Sequence, residues 1–375
     1  MPGRPRKDVI REDEVGVYHV WTRCVRRARL CGYDPVTDKN RDYRKRWIYD
    51  RMEELSRIFA VDACVFAILS NHYHLIVRNR VDLVEQWSQE EVVRRWWMLY
   101  PERRDKDGAP AEPTPLEIRS LVQDAQRVEV LRKRLCSISW FMKSLNEWIS
   151  KRCNREDNAR GHFWEERFGA RSLLSEGAIL ACAIYIDLNE IRAELAATPE
   201  ESQNTSAYRR ILARIKRRER KAAEGRSTMV SDYQQDDPDF WLCPIHEQDQ
   251  APLLGPAGVE SVGRSLDCNR DDTNLGSVHK LWRHGFLPMT PDEYLELLDW
   301  TGRQIVPGKR GAIDSALAPI LERLGLKPSN WLNVIDNFER WFHAAVGNAS
   351  EVTEQAARTG RQWLHGVRAC QSTFL

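Results

Sequence analysis

The sequence predicts an α+β fold in which helices pack on an antiparallel sheet, followed by a helical C-terminal region. Two apolar runs, 61–69 and 72–80, are separated only by Ser70 and Asn71, and so short a connection joins antiparallel strands. The element order up to residue 196 is strand, helix, strand, strand, helix, strand, helix, as in ferredoxin-like and RNA-recognition-like folds. Helical periodicity then returns at residue 289, after an irregular stretch.

The individual elements follow from composition and apolar spacing. Residues 15–25 are rich in β-branched and aromatic side chains, which predicts the first strand, and 41–60 has apolar residues at helical spacing. A single apolar stripe predicts a helix over 137–153 that begins at a Ser cap. Gly161 precedes a predicted strand in "HFWEERFGARSLL", and Ser175 begins a predicted helix that continues to residue 196.

An insertion and a linker divide the chain. Residues 81–136 contain a capping box at Ser88 and Glu91 and a proline-bearing stretch, which predict an insertion with two helices. Residues 227–280 are irregular and rich in Asp, Pro and Gly, which predicts a linker. We therefore expect a domain over 1–226 and a separable helical domain over 281–375, with proteolysis beginning between them.

Composition excludes several classes of protein. The chain has 375 residues, 42% hydrophobic and 30% charged, with a formal net charge of +2, which indicates a globular protein with a sizeable core. Its nine cysteines include no CxxC pair, so neither a zinc ribbon nor a disulfide framework is predicted. No GxGxxG or HExxH motif occurs. The N-terminal residues lack an apolar signal and no membrane span is predicted, so we expect a cytoplasmic protein.

Two histidines occur one residue apart in "LSNHYHLIV", residues 69–77. Because side chains alternate along a strand, His72 and His74 are expected on one face and Tyr73 on the other. Neutral imidazole is the commonest metal ligand in proteins. The pair therefore indicates either a metal site or two core histidines with satisfied hydrogen bonds.

A second cluster of polar residues lies in "AIYIDLNEIRA", residues 183–193. On a helix, Tyr185 and Asn189 are one turn apart on the same face, and Arg192 lies near Asn189. The three side chains would line one surface. The alternative is a tyrosine half-buried against the sheet, with the amide facing water.

Together these segments resemble a known family. A strand with "NHYHLIV", a strand with "FWEERF" and a helix with "YIDLNEIRAEL" occur in an order that is similar to the HUH single-tyrosine transposases, in particular the REP-associated branch. The resemblance covers about residues 10–210. The chain departs from the family at Glu190, where a proline is usual, and in the length of its insertion.

The resemblance implies a metal-dependent enzyme of DNA transposition. Tyr185 would attack a phosphodiester at hairpin-forming repeats in single-stranded DNA and form a 5'-phosphotyrosine, which a DNA 3'-hydroxyl can reverse. His72, His74 and Asn189 would hold Mg²⁺ or Mn²⁺. The partner would be single-stranded or hairpin DNA, and related enzymes include both monomers and homodimers.

Several basic and aromatic residues are candidates to hold the DNA strand. They are Arg23, Trp164, Arg167, Arg171, Arg192 and the basic run 208–226. Each arginine could instead pair with a nearby carboxylate. Two other functions also fit the motifs: a non-catalytic DNA-binding regulator derived from such a transposase, and a metal phosphohydrolase whose nucleophile is water, for which Tyr185 would be dispensable.

Overall fold

The computed structural model describes residues 6–25, 30–34, 38–224, 233–246, 251–253, 281–305 and 318–375; for residues 224, 251–253, 281–283 and 305 it describes only the backbone. Most of the predicted linker, 227–280, therefore lies outside the described residues.

A five-stranded sheet forms the centre of the protein, with the strand order β4-β5-β1-β6-β9. Its strands are β1 (Gly16–Arg23), β4 (Val61–Ile68), β5 (His72–Asn79), β6 (Gly169–Leu173) and β9 (Ala345–Val346). All neighbours pair antiparallel except β6 and β9, which pair parallel. This sheet and its helices confirm the predicted α+β class.

Two small ribbons and fourteen helices surround the sheet within the described residues. The ribbons pair β2 (Tyr33–Asp34) with β3 (Lys39–Asn40) and β7 (Ala251–Leu253) with β8 (Leu281–Arg283). The helices are α1 (Arg44–Ile58), α2 (Val81–Val84), α3 (Gln89–Leu99), α4 (Pro115–Val122), α5 (Ala125–Leu135), α6 (Ile138–Glu156), α7 (Glu176–Asp187), α8 (Asn189–Arg192), α9 (Ser206–Glu224), α10 (Pro291–Ile305), α11 (Ala318–Arg323), α12 (Trp331–Trp341), α13 (Ala349–Arg358) and α14 (Val367–Thr373). In the part of the chain that is described, no helix combines the length and the apolar character needed to cross a bilayer.

Local signals place several helix starts where the sequence predicts them. Ser88, Ser137 and Ser175 each accept a hydrogen bond from the backbone N–H three residues later. The insertion differs from the prediction, because it contains four helices, α2 to α5, rather than two. A capping box formed by Thr114 and Glu117 begins the additional helix α4.

Two other elements are shorter than the sequence predicts. Strand β6 begins at Gly169, and upstream of it Trp164 makes only an isolated bridge to Cys24. The predicted helix 175–196 is interrupted at Leu188, which separates α7 from α8. At this break the Asp187 carboxylate accepts hydrogen bonds from the Ser206 hydroxyl and the Ala207 N–H, so the start of α9 binds the end of α7.

The two faces of the sheet carry different helices. The Tyr73 hydroxyl donates to Asn146 of α6, so α6, with α1 beside it, covers the face to which Tyr73 points. Helices α7 and α12 pack against each other, and α7 contacts β5, on the face of the histidines. The candidate site therefore lies between the sheet and the α7–α12 pair.

The C-terminal region contacts the N-terminal region at many described places, of which three involve whole elements or a buried hydroxyl. Strand β9 pairs with β6, α12 packs on α7, and the Tyr294 hydroxyl of α10 donates to Asp187 at 2.6 Å. The boundary between domains and the separability of 281–375 stay predictions that proteolysis can test.

Candidate functional site

The two histidines lie at the start of β5, beside the end of β1. Arg23 is paired with His72 and Trp21 with His74, and residues paired in this way project from the same face. The two imidazole rings are 5.0 Å apart, centre to centre. Strand alternation has therefore brought both rings, Trp21 and Arg23 to one surface.

A polar cavity of about 270 Å³ is present at this surface. Its walls include Arg23, His72, His74, Glu165, Arg167 and Glu339. Gly169 lies under Trp21, and a Cβ at this position would approach the indole to 2.3 Å, so only glycine lets Trp21 lie across β6. The charged lining of the cavity consists of two arginines, Arg23 and Arg167, and three carboxylates, Glu165, Glu166 and Glu339, so the arginines could bind an anion and the carboxylates a cation.

A buried hydrogen-bond chain supports His74 from behind. Nε2 of His19 lies 2.9 Å from Nδ1 of His74, and Nη1 of Arg171 lies 3.2 Å from Nδ1 of His19. Guanidinium nitrogens only donate, so Nδ1 of His19 must accept. Nε2–H of His19 then donates to Nδ1 of His74, and neutral His74 must carry its proton on Nε2.

Both histidines of this hydrogen-bond chain are neutral. Burial lowers the pKa of His19 and of His74 well below the ordinary value, and the positive charge of Arg171 lowers both further. His74 therefore presents an N–H to the cavity, where its Nε2 lies 3.9 Å from Oε1 of Glu339.

His72 is the opposite tautomer, with its proton on Nδ1. Its Nδ1 lies 2.6 Å from Oδ1 of Asn71, an acceptor, so Nδ1 donates and Nε2 keeps its lone pair. Burial, followed by the positive charge of Arg23, lowers the pKa of His72 to about 4. The site thus contains one imidazole with a free lone pair and one that donates.

Tyr185 is covered by the C-terminal region. Only 4% of its surface is exposed. The Phe338 ring of α12 stacks on it at 5.1 Å and 23°, and Cζ of Arg192 lies 4.5 Å from the centre of the tyrosine ring. The Glu339 carboxylate accepts a hydrogen bond from the Tyr185 hydroxyl; burial and this negative charge raise the pKa of the phenol. The His74 ring is 6.2 Å from the tyrosine ring.

Asn189 is the first residue of α8, just after the helix break. It is 7% exposed, and its Nδ2 is buried without a hydrogen-bond partner. A buried amide with an orphaned end is uncommon and indicates a missing ligand or an inverted amide. Neither Tyr185 nor Asn189 is among the described residues that line the cavity.

The donor types fit a hard divalent cation under one condition. His72 offers a lone pair, and an inverted Asn189 amide would present its oxygen where the orphaned nitrogen is. His74 could bind a cation only after its Nε2 proton moves, because the chain from Arg171 places that proton towards the cavity. Within the described residues, no group of three His, Cys, Asp or Glu side chains could hold a metal, so the third ligand would have to be an amide or a water.

The structure places the remaining predicted DNA-binding residues in two environments. Arg23 and Arg167 line the cavity. Trp164 is half-buried and donates its indole N–H to the Asn146 carbonyl, Arg171 donates to the His343 carbonyl as well as to His19, and Arg192 donates to the Asp336 carbonyl of α12. The last three residues thus already have partners within the protein.

Four cations of the predicted basic run form salt bridges within the protein. They pair with carboxylates of residues 236–239 and of α10: Lys216 with Asp236, Arg217 with Asp237 and Asp239, Arg220 with Asp237, and Arg214 with Asp292. Arg210 is buried and donates to the carbonyls of Cys64 and Cys243. Helix α9 therefore holds neighbouring segments together by ion pairs.

The sequence analysis did not identify three residues of the site. His19 could have been found, because it shares the parity of Arg23 on β1 and so lies on the histidine face. Phe338 and Glu339 had no signal of this kind. Helix α12 is amphipathic in sequence, but its packing partner is about 150 residues away and the pattern does not name it.

Comparisons with known proteins add little to this geometry. No protein-family model matches the chain, and no curated protein matches it either. A solved structure of a REP-associated tyrosine transposase bound to a REP hairpin aligns with 59% of this chain and 86% of that chain, at 10% identity and a TM-score of 0.29. At that TM-score the likeness carries no weight, so function has to be inferred from the contacts.

Proposed function

We propose that this protein cleaves and rejoins single-stranded DNA through a covalent bond between Tyr185 and a 5'-phosphate, at hairpin-forming repeats, as in DNA transposition. One observation carries the proposal: segments more than 100 residues apart bring a phenol, a carboxylate and two neutral imidazoles together beside a polar cavity that also contains Arg23 and Arg167. A nucleophile, a proton acceptor and phosphate-binding groups are the requirements of such a transesterification.

Each group has a role in the proposed step. The Tyr185 proton passes to Glu339 as the phenolic oxygen bonds to phosphorus, the bond from phosphorus to the 3'-oxygen breaks, and the proton returns to that oxygen. Arg23 and Arg167 bind the phosphate oxygens. A Mg²⁺ or Mn²⁺ ion held by His72, His74 and Asn189 would supply Lewis-acid polarisation of the phosphate.

The covering helix sets a requirement for this chemistry. A tyrosine that is 4% exposed beneath Phe338 cannot reach a phosphate in the cavity. Helix α12 must therefore shift when DNA binds. The structure accordingly corresponds to a closed state in the proposed cycle.

The burial of Tyr185 beneath Phe338 also favours a second candidate function. A non-catalytic DNA-binding regulator would keep Arg23 and Arg167 in the cavity and could leave Tyr185 permanently buried in the core, as it is here. Cation–π contact with Arg192 and stacking on Phe338 would then be purely structural.

An oligonucleotide assay separates the two functions. The full chain is incubated with Mn²⁺ and single-stranded DNA carrying hairpin-forming repeats, and denaturing gels show cleavage and any covalent protein–DNA adduct. We expect an adduct whose tryptic peptide contains Tyr185. Binding without cleavage supports the regulator, whereas cleavage without an adduct supports a water nucleophile.

A further inference from the structure

A cationic surface lies on the side of the sheet that does not carry the histidines. Four half-buried tryptophans and three cations form it, and we call it the tryptophan–cation surface: Trp47, Trp96, Trp140 and Trp148 with Arg134, Lys143 and Arg152. These residues come from α1, α3, α5 and α6.

Each cation lies over an indole. Cζ of Arg134 is 4.5 Å from the Trp140 ring and 5.4 Å from Trp96, and Nζ of Lys143 is 4.4 Å from Trp140. Cζ of Arg152 is 4.1 Å from Trp47 and 5.0 Å from Trp148. Two of the cations thus each bridge tryptophans from two helices.

The three cations also differ from their neighbours in having no salt bridge among the described residues. On the same helices, Arg132 pairs with Glu129 and Lys151 with Glu147. Arg134, Lys143 and Arg152 contact indoles instead of carboxylates. Their charges are therefore available to an anion, and their stacking on indoles reduces the conformational entropy lost on binding.

The surface is connected to the candidate site. The Trp164 indole donates to the Asn146 carbonyl of α6 at 3.0 Å, and the next three residues, Glu165 to Arg167, line the cavity. Residues 164–167 thus connect the rim of the cavity to the middle of α6. Trp140 and Arg152 are twelve residues apart on α6, which is about 18 Å along the axis and sufficient for about four nucleotides.

We propose that the tryptophan–cation surface binds the single-stranded DNA that flanks the strand in the cavity. Regularly spaced cations suit phosphates, whereas indole and guanidinium planes suit unpaired bases without reading their sequence. The choice of DNA as occupant rests on the proposed function, but binding here does not require the chemistry of Tyr185.

Charge-matched variants test this. Affinity for a fluorescent 30-mer of deoxythymidylate is measured by anisotropy over a range of salt concentrations. The triple variant Arg134→Gln, Lys143→Gln, Arg152→Gln should bind at least about tenfold more weakly at low salt and reduce the slope of log affinity against log salt by about 2. The control Lys133→Gln, Lys151→Gln, Arg155→Gln alters exposed cations of the same helices and should stay within about threefold of the wild type.

Two further measurements distinguish a loss of DNA binding at this surface from misfolding of the variants. Ultraviolet crosslinking should place thymidine on peptides that contain residues of the tryptophan–cation surface, and circular dichroism should show that both triple variants are folded. Equal weakening in the two triple variants, or crosslinks elsewhere only, would overturn the proposal. Because the probe forms no hairpin and needs no cleavage, a protein that never cleaves DNA could still pass this test, and an active one could fail it.

Discussion

The cavity and the tyrosine are neighbours with opposite accessibility. Arg23, His72 and Arg167 face an open polar space, whereas Tyr185 lies between Phe338 and Arg192 with almost no exposed surface. Glu339, which is about half exposed, contacts both sides. In the proposed mechanism, the groups that bind the phosphate are therefore pre-organised, whereas the nucleophile becomes available only when α12 moves.

The largest expected effect is that of replacing the buried tyrosine, Tyr185. Tyr185→Phe removes one oxygen, so the fold and DNA affinity should survive while cleavage falls by at least about 10³-fold and the adduct disappears. Single-turnover gels and anisotropy measure the two quantities. Tyr208→Phe is the control, since Tyr208 begins the basic run 208–226, and an adduct that persists in Tyr185→Phe would transfer the role to it.

Removing the Phe338 ring should increase the exposure of Tyr185. Phe338→Ala removes the ring that stacks on Tyr185, so the unfolding free energy should fall by about 3–5 kcal/mol while cleavage becomes faster. Nitration of Tyr185, followed by mass spectrometry, measures its exposure. Phe342→Ala is the matched control, because Phe342 is equally buried and contacts Phe338 but does not stack on Tyr185. Equal nitration in both variants would contradict a specific cover.

The stability of the protein should depend on pH through His72, which lines the open cavity. The folded pKa of His72, about 4, lies below the unfolded value of about 6.5, so its contribution to stability is complete above pH 6.5 and is lost as the pH falls towards 4. The stability difference between the wild type and His72→Asn should therefore change by up to about 3 kcal/mol across that window. Urea unfolding at several pH values measures it, and a constant difference would refute the pKa assignment.

The smallest effect concerns the hydrogen-bond chain behind His74. Arg171→Met frees Nδ1 of His19 from its donor, so His74 can place its proton on Nδ1 and Mn²⁺ should bind about tenfold more tightly. His19→Phe should do the same without a change in charge. Arg192→Met removes a nearby cation but leaves the chain intact, and it controls for simple repulsion.

Manganese titration by electron paramagnetic resonance gives these affinities, and ¹⁵N chemical shifts of His74 give its tautomer. A wild-type His74 with its proton on Nδ1 would remove the basis of this prediction.

Local rules allow much of the fold to be predicted from the sequence. The two-residue connection at Ser70 and Asn71 specifies the hairpin, and alternation places His72 and His74 on one face. Serine caps mark the starts of α3, α6 and α7. The break at Leu188 was not predictable, because it accompanies hydrogen bonds between Asp187 and the start of α9, about 20 residues later.

The candidate site was less predictable because its contacts are long-range. Arg171 looks like a phosphate contact in the sequence, but β9 and the preceding residues cover it and supply the His343 carbonyl. Arg192 likewise binds a carbonyl of α12. Periodicity identifies α12 as an amphipathic helix and gives no information about which surface it covers.

The pairing of β9 with β6 also bears on assembly. An uncovered outer strand offers unpaired N–H and C=O groups to another chain. Here the outer strand β9 is only two residues long. At the other margin, β4 donates the Ile68 N–H to the Asn204 carbonyl and accepts a hydrogen bond from the Cys243 N–H at the Ala63 carbonyl. A second copy would therefore have little opportunity to extend the sheet at either margin.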